Sequence, residues 1–238
     1  MGRIWEETFT LNAIDRQTLR EGFGDRGLDL SSFKTRQERH RHNNGVEEEL
    51  YLLRRYLFTL ETEGMLRYPF NLKKTESPDF FGACADETDG VEVSEATSAI
   101  DQREMTLRER SGSPSLLGTY GGRYKGGVSY NGNARGRPPD RDLTADVLRA
   151  VRRKAKRIRK YNYLNAKSLD VLLYANSNSS HLAEFEESYP LLRTRFTRWL
   201  QIATQNTGIR RIAVIFAKKL LLFEIDGRSK VLELRESI

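Results

Sequence analysis

Two carboxylates thirteen residues apart carry the first chemical signal in this sequence: Asp79 in Glu76-Ser77-Pro78-Asp79-Phe80, and Glu92 in Gly90-Val91-Glu92-Val93-Ser94-Glu95-Ala96. Both lie in apolar, strand-like segments. Asp86-Glu87-Thr88-Asp89-Gly90 between them has the composition of a hairpin turn. The spacing therefore predicts two acids at the ends of neighbouring strands, which lie about 4.8 Å apart in a sheet. Carboxylates held that close repel unless a cation lies between them. Oxygen-only ligands suit Mg²⁺ or Mn²⁺, which bind through one or two carboxylates together with water and phosphate. Such an ion activates water and stabilises charge on a phosphodiester.

Each residue also has a plainer reading. An aspartate after proline caps turns, and Glu92 on a strand with Val91 and Val93 could face solvent. Only the joint placement favours chemistry, so the elements that position the acids matter. Val46 to Glu63 is the clearest helix: Val46, Leu50, Leu53, Leu57 and Leu60 share one face, Glu47 to Glu49 suit the positive end of its dipole, and Gly64 closes it. Glu49 borders the apolar stripe, whereas Glu48 points away. Three extended pieces follow: Met65 to Leu72, an edge strand because it contains Pro69; Pro78 to Ala83; and Val91 to Ala96. In the last, alternation puts Val91, Val93 and Glu95 on one face and Glu92, Ser94 and Ala96 on the other.

Residues 111–141 are rich in Gly, Arg and Tyr without apolar periodicity, which reads as a long loop. A second helix is expected over Leu143 to Lys160, with Leu148, Val151, Ala155 and Ile158 as its stripe. Eight of the twelve residues from Arg149 to Lys160 are Arg or Lys, with no acid among them. Such spacing costs a few tenths of a kcal/mol per like-charge pair, and this favours a role in contacting phosphate over a merely solvated face. Leu169 to Tyr174 reads as a buried strand and Tyr189 to Ile202 as a helix whose Phe196 and Trp199 belong to the core. Ile209 to Ala217 and Leu220 to Ile225 read as a strand pair, with one more strand at Lys230 to Arg235. The first 45 residues read as an irregular arm or short helical preface, and 46–238 as a single α/β domain.

Composition narrows the classes. The 238 residues carry 40 Lys+Arg against 33 Asp+Glu, a net charge of +7 that hints at a polyanionic partner. No run approaches the roughly 18 apolar residues of a spanning helix. The start has no apolar signal-peptide core, so a cytoplasmic setting is expected. One cysteine, Cys84, excludes an internal disulfide framework, and with only His40, His42 and His181 beside it a structural zinc site is not expected.

The pattern and its context resemble the PD-(D/E)XK nuclease superfamily, whose fold is that of restriction endonucleases. Pro78-Asp79 matches the first element, and Glu92-Val93-Ser94 matches the second at its first residue. The order helix, three strands, helix, strand over residues 46–175 matches the common core, with the long loop as an insertion and a C-terminal helix and strand pair added. The resemblance implies a central mixed sheet flanked by helices. It implies a Mg²⁺-dependent deoxyribonuclease, Mn²⁺ being an alternative ion, with Asp79 and Glu92 as metal ligands and catalytic acids, and Glu49 as a further ligand from the first helix. The family's lysine falls at Ser94. Either the lysine comes from the following helix, with Lys154 preferred and Lys156 as fallback, or the copy is weakened or inactive and remains a nucleic-acid-binding module, such as a subunit of a larger assembly. The retained acids favour the first. Gln102, beyond the third strand, is a weaker match. DNA would be gripped by Arg149, Arg152, Arg153, Lys156, Arg157, Arg159 and Lys160 on the second helix, and by Arg123 and Lys125 in the loop. Dimerisation, letting two sites cut both strands, is a further expectation of the resemblance.

Overall fold

The computed structural model describes residues 9–24, 44–76, 78–84, 87–96, 139–161, 166–175, 184–203, 207–216 and 218–235. They build one eight-stranded mixed sheet with helices on both faces. The strands are β1 (Thr10–Ala13), β2 (Phe70–Lys74), β3 (Phe80–Cys84), β4 (Glu87–Ala96), β5 (Ser168–Ala175), β6 (Ile209–Phe216), β7 (Lys219–Glu224) and β8 (Ser229–Glu233). The helices are α1 (Arg16–Gly24), α2 (Asn44–Thr62), α3 (Pro139–Tyr161) and α4 (Phe185–Ala203). Strand order in the sheet follows chain order. β1 to β4 and β6 to β8 are antiparallel meanders, while β5 lies parallel to both β4 and β6. The helix, three strands, helix, strand sequence and its C-terminal additions are as expected from the sequence. No helix among the described residues is long and apolar enough to cross a membrane.

Two apolar clusters hold the layers together. On one face α1 and α2 bury Leu19, Phe23, Leu53 and Phe58 against Leu72, Phe80, Val91 and Val93 of the sheet. On the other, α3 and α4 bury Val147, Val151, Ile158 and Phe196 against Val171, Leu173 and Val214. Alternation along β4 sends Val91 and Val93 to the α2 side and Ala96 to the α3 side. Phe196 is fully buried and Trp199 packs on the same cluster, so both belong to the core.

Several boundaries differ from expectation. The stretch read as an irregular arm or short helical preface supplies the helix α1 and also a strand, β1, that joins the sheet. Asp15 caps α1, accepting from the Thr18 N–H at 2.8 Å, while the Thr18 hydroxyl accepts from the Asp15 N–H at 3.0 Å. Because β1 covers it, β2 is not an edge strand; Pro69 lies just before it, in a cis peptide after Tyr68. Glu87 to Gly90 are not a turn. They extend β4, with Glu87 paired to Cys84, because cross-strand bonding outweighs turn-forming composition there. Helix α3 begins at Pro139, at the first-turn position where proline is preorganised, followed by Asp140 and Asp142. The remainder of the Gly/Arg/Tyr loop, Arg123 and Lys125 included, lies outside the described residues, as does Gln102. At the other end of α2, Gly64 takes φ 64°. Its N–H bonds to Glu61 O and the Met65 N–H to Leu60 O, which stops the helix and releases the chain toward β2.

A buried ionic network fixes α2 to the sheet. The β5–β6 register steps from Leu169↔Ile209 to Asp170↔Arg211, leaving Arg210 as an extra residue. Such a bulge re-aims side chains, and both arginines reach Asp170. Arg210 donates to Asp170 from Nε at 2.9 Å, and Arg211 lies 3.7 Å away. The Tyr56 hydroxyl of α2 donates to Asp170 Oδ2 at 2.6 Å and accepts from Arg211 at 3.1 Å. Burial and the neighbouring aspartate push the Tyr56 hydroxyl far above the usual tyrosine range.

Candidate active site

The acids meet where β2 ends and β3 begins. Asp79 immediately precedes β3, and in the β3–β4 ladder Phe80 pairs with Val91. That register puts Asp79 beside Glu92. The Asp79 N–H donates to Glu92 Oε2 at 3.1 Å, and the Val93 N–H donates to Asp79 Oδ2 at 2.7 Å. Each carboxylate is thus oriented by a backbone donor on the opposite segment. Gly90 makes room for the approach: a side chain there would come within 2.8 Å of Pro78 Cγ and of Leu169 Cδ1.

Lys154 reaches the same point from α3. Its Nζ lies 2.6 Å from Glu92 Oε1 and 3.6 Å from Asp79 Oδ2. The ammonium is almost buried, and Glu92 is only 1% exposed. The stripe Val151, Ala155, Ile158 explains the placement: Lys154 sits within the face that α3 turns to the sheet, and Glu92 lies on the sheet face that α3 covers. Lys156, the fallback, is exposed on the outer side of α3 and is not at this point.

Glu49 comes from α2 on the opposite face. Its partner is a residue the sequence reading missed, Lys74 at the end of β2, whose Nζ lies 2.6 Å from Glu49 Oε2 and 3.8 Å from Asp79 Oδ1. Burial and the charge of Asp79 push the Glu49 carboxyl up, against the pull of Lys74 and Lys154. A usable signal existed for Lys74. Period-two alternation puts it in phase with the buried Phe70 and Leu72, where a cation needs a partner. The side chains of Glu47 and Glu48 lie outside the described set, whereas Ser94 is half-buried two residues along from Glu92.

Three carboxylates and two ammoniums therefore share the end of the sheet. The donor set is all oxygen, which fits a hard divalent cation. Among the described residues no three His, Cys, Asp or Glu side chains converge closely enough to cage an ion by themselves. An ion here would take water and substrate oxygens for its remaining positions, as Mg²⁺ commonly does. A separate cavity of about 520 Å³ opens between the C-terminal half of α2 and the starts of β4, β5 and β6, lined by Tyr56, Asp170 and Arg211 and by none of these acids.

Along α3, Arg152, Arg153, Lys156, Arg157, Arg159 and Lys160 are all exposed. Arg149 is exposed as well, and it also has an acidic partner. It is paired within the helix to the buried Asp146 at 2.9 Å, because the acid one turn earlier lies just outside the charge run. No family model matches the chain, no curated protein matches its sequence and no solved structure matches its fold.

Proposed function

We propose that the chain is a metal-dependent nuclease that hydrolyses phosphodiester bonds in DNA. One observation carries the reading: Asp79 from the lead-in to β3, Glu92 from β4 and Lys154 from α3 lie within contact distance of one another. Asp79 and Glu92, with Glu49 alongside, are the residues that would hold Mg²⁺ or Mn²⁺. When bound, the ion would supply charge stabilisation on the phosphate and a more acidic water. The protein's own part is positional. Backbone donors from Asp79 and Val93 hold the carboxylates in place before substrate arrives. Lys154 presents a nearly buried cation beside them, suited to orient a nucleophilic water or offset charge on the reacting phosphate. The exposed arginines and lysines of α3 would grip the backbone, with counterion release supplying much of the affinity. A homodimer would allow both strands to be cut.

The test is Mg²⁺-dependent cleavage of plasmid, linear and single-stranded DNA by the whole chain. Asp79→Ala and Glu92→Ala should each abolish it, and cleavage surviving either change refutes the reading. A second reading rests on Ser94 and on the lack of a three-carboxylate cage among the described residues. In it the chain binds nucleic acid without cutting, as a module of a larger assembly. Salt-sensitive DNA binding that is indifferent to both substitutions, with no cleavage in Mg²⁺ or Mn²⁺, would support it.

A further inference from the structure

Asp79 offers one oxygen to each of two lysines: Oδ2 to Lys154 at 3.6 Å and Oδ1 to Lys74 at 3.8 Å. The two cations are not equivalent. The Lys154 side chain is 10% exposed and holds Glu92, which has almost no contact with water. The Lys74 side chain is 20% exposed and holds Glu49, itself 29% exposed. Withdrawal of Lys154 would take the cation from a carboxylate that water hardly reaches, whereas withdrawal of Lys74 would leave Glu49 within reach of water. Lys74 also stands at the end of a strand, on a flexible four-carbon stem, with the Phe80 ring 4.8 Å from its ammonium.

Resting on the reading of this cluster as a divalent-ion site, we infer that Lys74 is its resident counter-ion, occupying the Glu49–Asp79 side until an arriving cation displaces it. A divalent ion held by Asp79 and Glu92 with Glu49 alongside would come within a few ångströms of the Lys74 ammonium, and like charges at that range repel strongly in a partly buried site. Binding of the ion therefore requires Lys74 to swing outward, while Lys154 stays on Glu92. Lys74 is a positioning residue in this scheme. It keeps Glu49 turned toward Asp79 in the ion-free protein and weakens ion binding by the work of its own displacement.

The experiment is titration of the whole chain with Mn²⁺ alone, followed by electron paramagnetic resonance and without any nucleic acid. Lys74→Met should bind Mn²⁺ about ten-fold or more tightly than the parent, because the competing charge is gone. Lys74→Arg, which keeps the charge, should stay near the parent. Lys73→Met, an equal charge change at the exposed neighbouring position, should move the affinity less than about two-fold, as screened surface charges do. Circular dichroism melts confirm that the variants fold, with Lys74→Gln as a second neutral replacement. Unchanged or weaker Mn²⁺ affinity in both neutral variants overturns the inference, and so does absence of Mn²⁺ binding from parent and variants alike. Failure of the nuclease reading looks different: Mn²⁺ binding would respond to Lys74 as stated while no DNA is cut.

Discussion

Replacing Lys154 by methionine tests the geometry of the site without any assumption about substrate. The change keeps most of the side chain's length and removes only the ammonium. Glu92, 1% exposed, would then keep the Asp79 N–H at 3.1 Å but lose the cation at 2.6 Å. Removing one partner of a buried pair typically costs about 3–5 kcal/mol, and the surviving hydrogen bond argues for the lower end. For a chain of this length, each kcal/mol lowers the melting temperature by about 2–4 °C, so a loss of roughly 6–12 °C is expected. Glu92→Gln should cost less, about 2 kcal/mol, because the ammonium keeps Asp79 at 3.6 Å as a partner.

The double variant separates this pair from the rest of the core. With both charges gone, neither is stranded, so the combined loss should fall short of the sum by about 2–3 kcal/mol. Urea unfolding followed by circular dichroism on the parent, both single variants and the double variant gives the coupling directly, provided the transitions are two-state. Strict additivity, or a Lys154→Met protein within about 0.5 kcal/mol of the parent, would refute the claim that this lysine is the buried partner of Glu92.

The network beneath α2 and the surface of α3 make two further predictions. Burial pushes the Asp170 carboxyl up, but Arg210, Arg211 and the Tyr56 hydroxyl outweigh it and hold it below the usual range. A carboxyl depressed on folding contributes stability that is complete above its unfolded value of about 4 and is lost as pH falls through the folded value. Asp170→Asn should therefore be less stable at pH 7 and show a flatter decline below pH 4 in thermal melts, and a variant as acid-sensitive as the parent would count against it. Changing Arg152, Arg153 and Arg157 to glutamine should lower the slope of log K against log salt for duplex DNA by about 0.9 per residue. An unchanged slope would mean that this face of α3 does not meet phosphate.

Periodicity made most of the architecture readable. The stripes of α2 and α3 run over three or more turns, so once the resemblance pointed to a lysine on the second helix, spacing put Lys154 on the flank of its apolar face. What escaped notice was short or contradictory. β1 has four residues, of which Leu11 and Ala13 are buried, too few for alternation to stand out. α1 announces itself through the Asp15–Thr18 cap, a local hydrogen-bond pattern weaker than a long apolar stripe. Arg210 and Arg211 escaped for another reason: they converge on Asp170 only because a bulge breaks strict alternation, and a register step has no signature in one strand's sequence.

Ser94 stands where the resemblance would put a lysine, and the geometry brings a cation to the same face from another element. Residues two apart on a strand share a face, so a side chain at 94 would approach Glu92 from the side that α3 covers. A lysine descending from α3 reaches that same side from above. Lys154 does so, with its stem shielded between the helix and the sheet and its ammonium on Glu92. Supplying the cation from the helix makes its position depend on how α3 packs rather than on strand register alone. Changes in the Val151–Ala155–Ile158 stripe should then move the ammonium although none of those side chains carries charge. Ala155→Val, which adds bulk at a 3% exposed position beside Lys154, is accordingly expected to weaken the Lys154–Glu92 coupling in the same double-mutant cycle, whereas an equal change on the outer face of α3 should leave it intact.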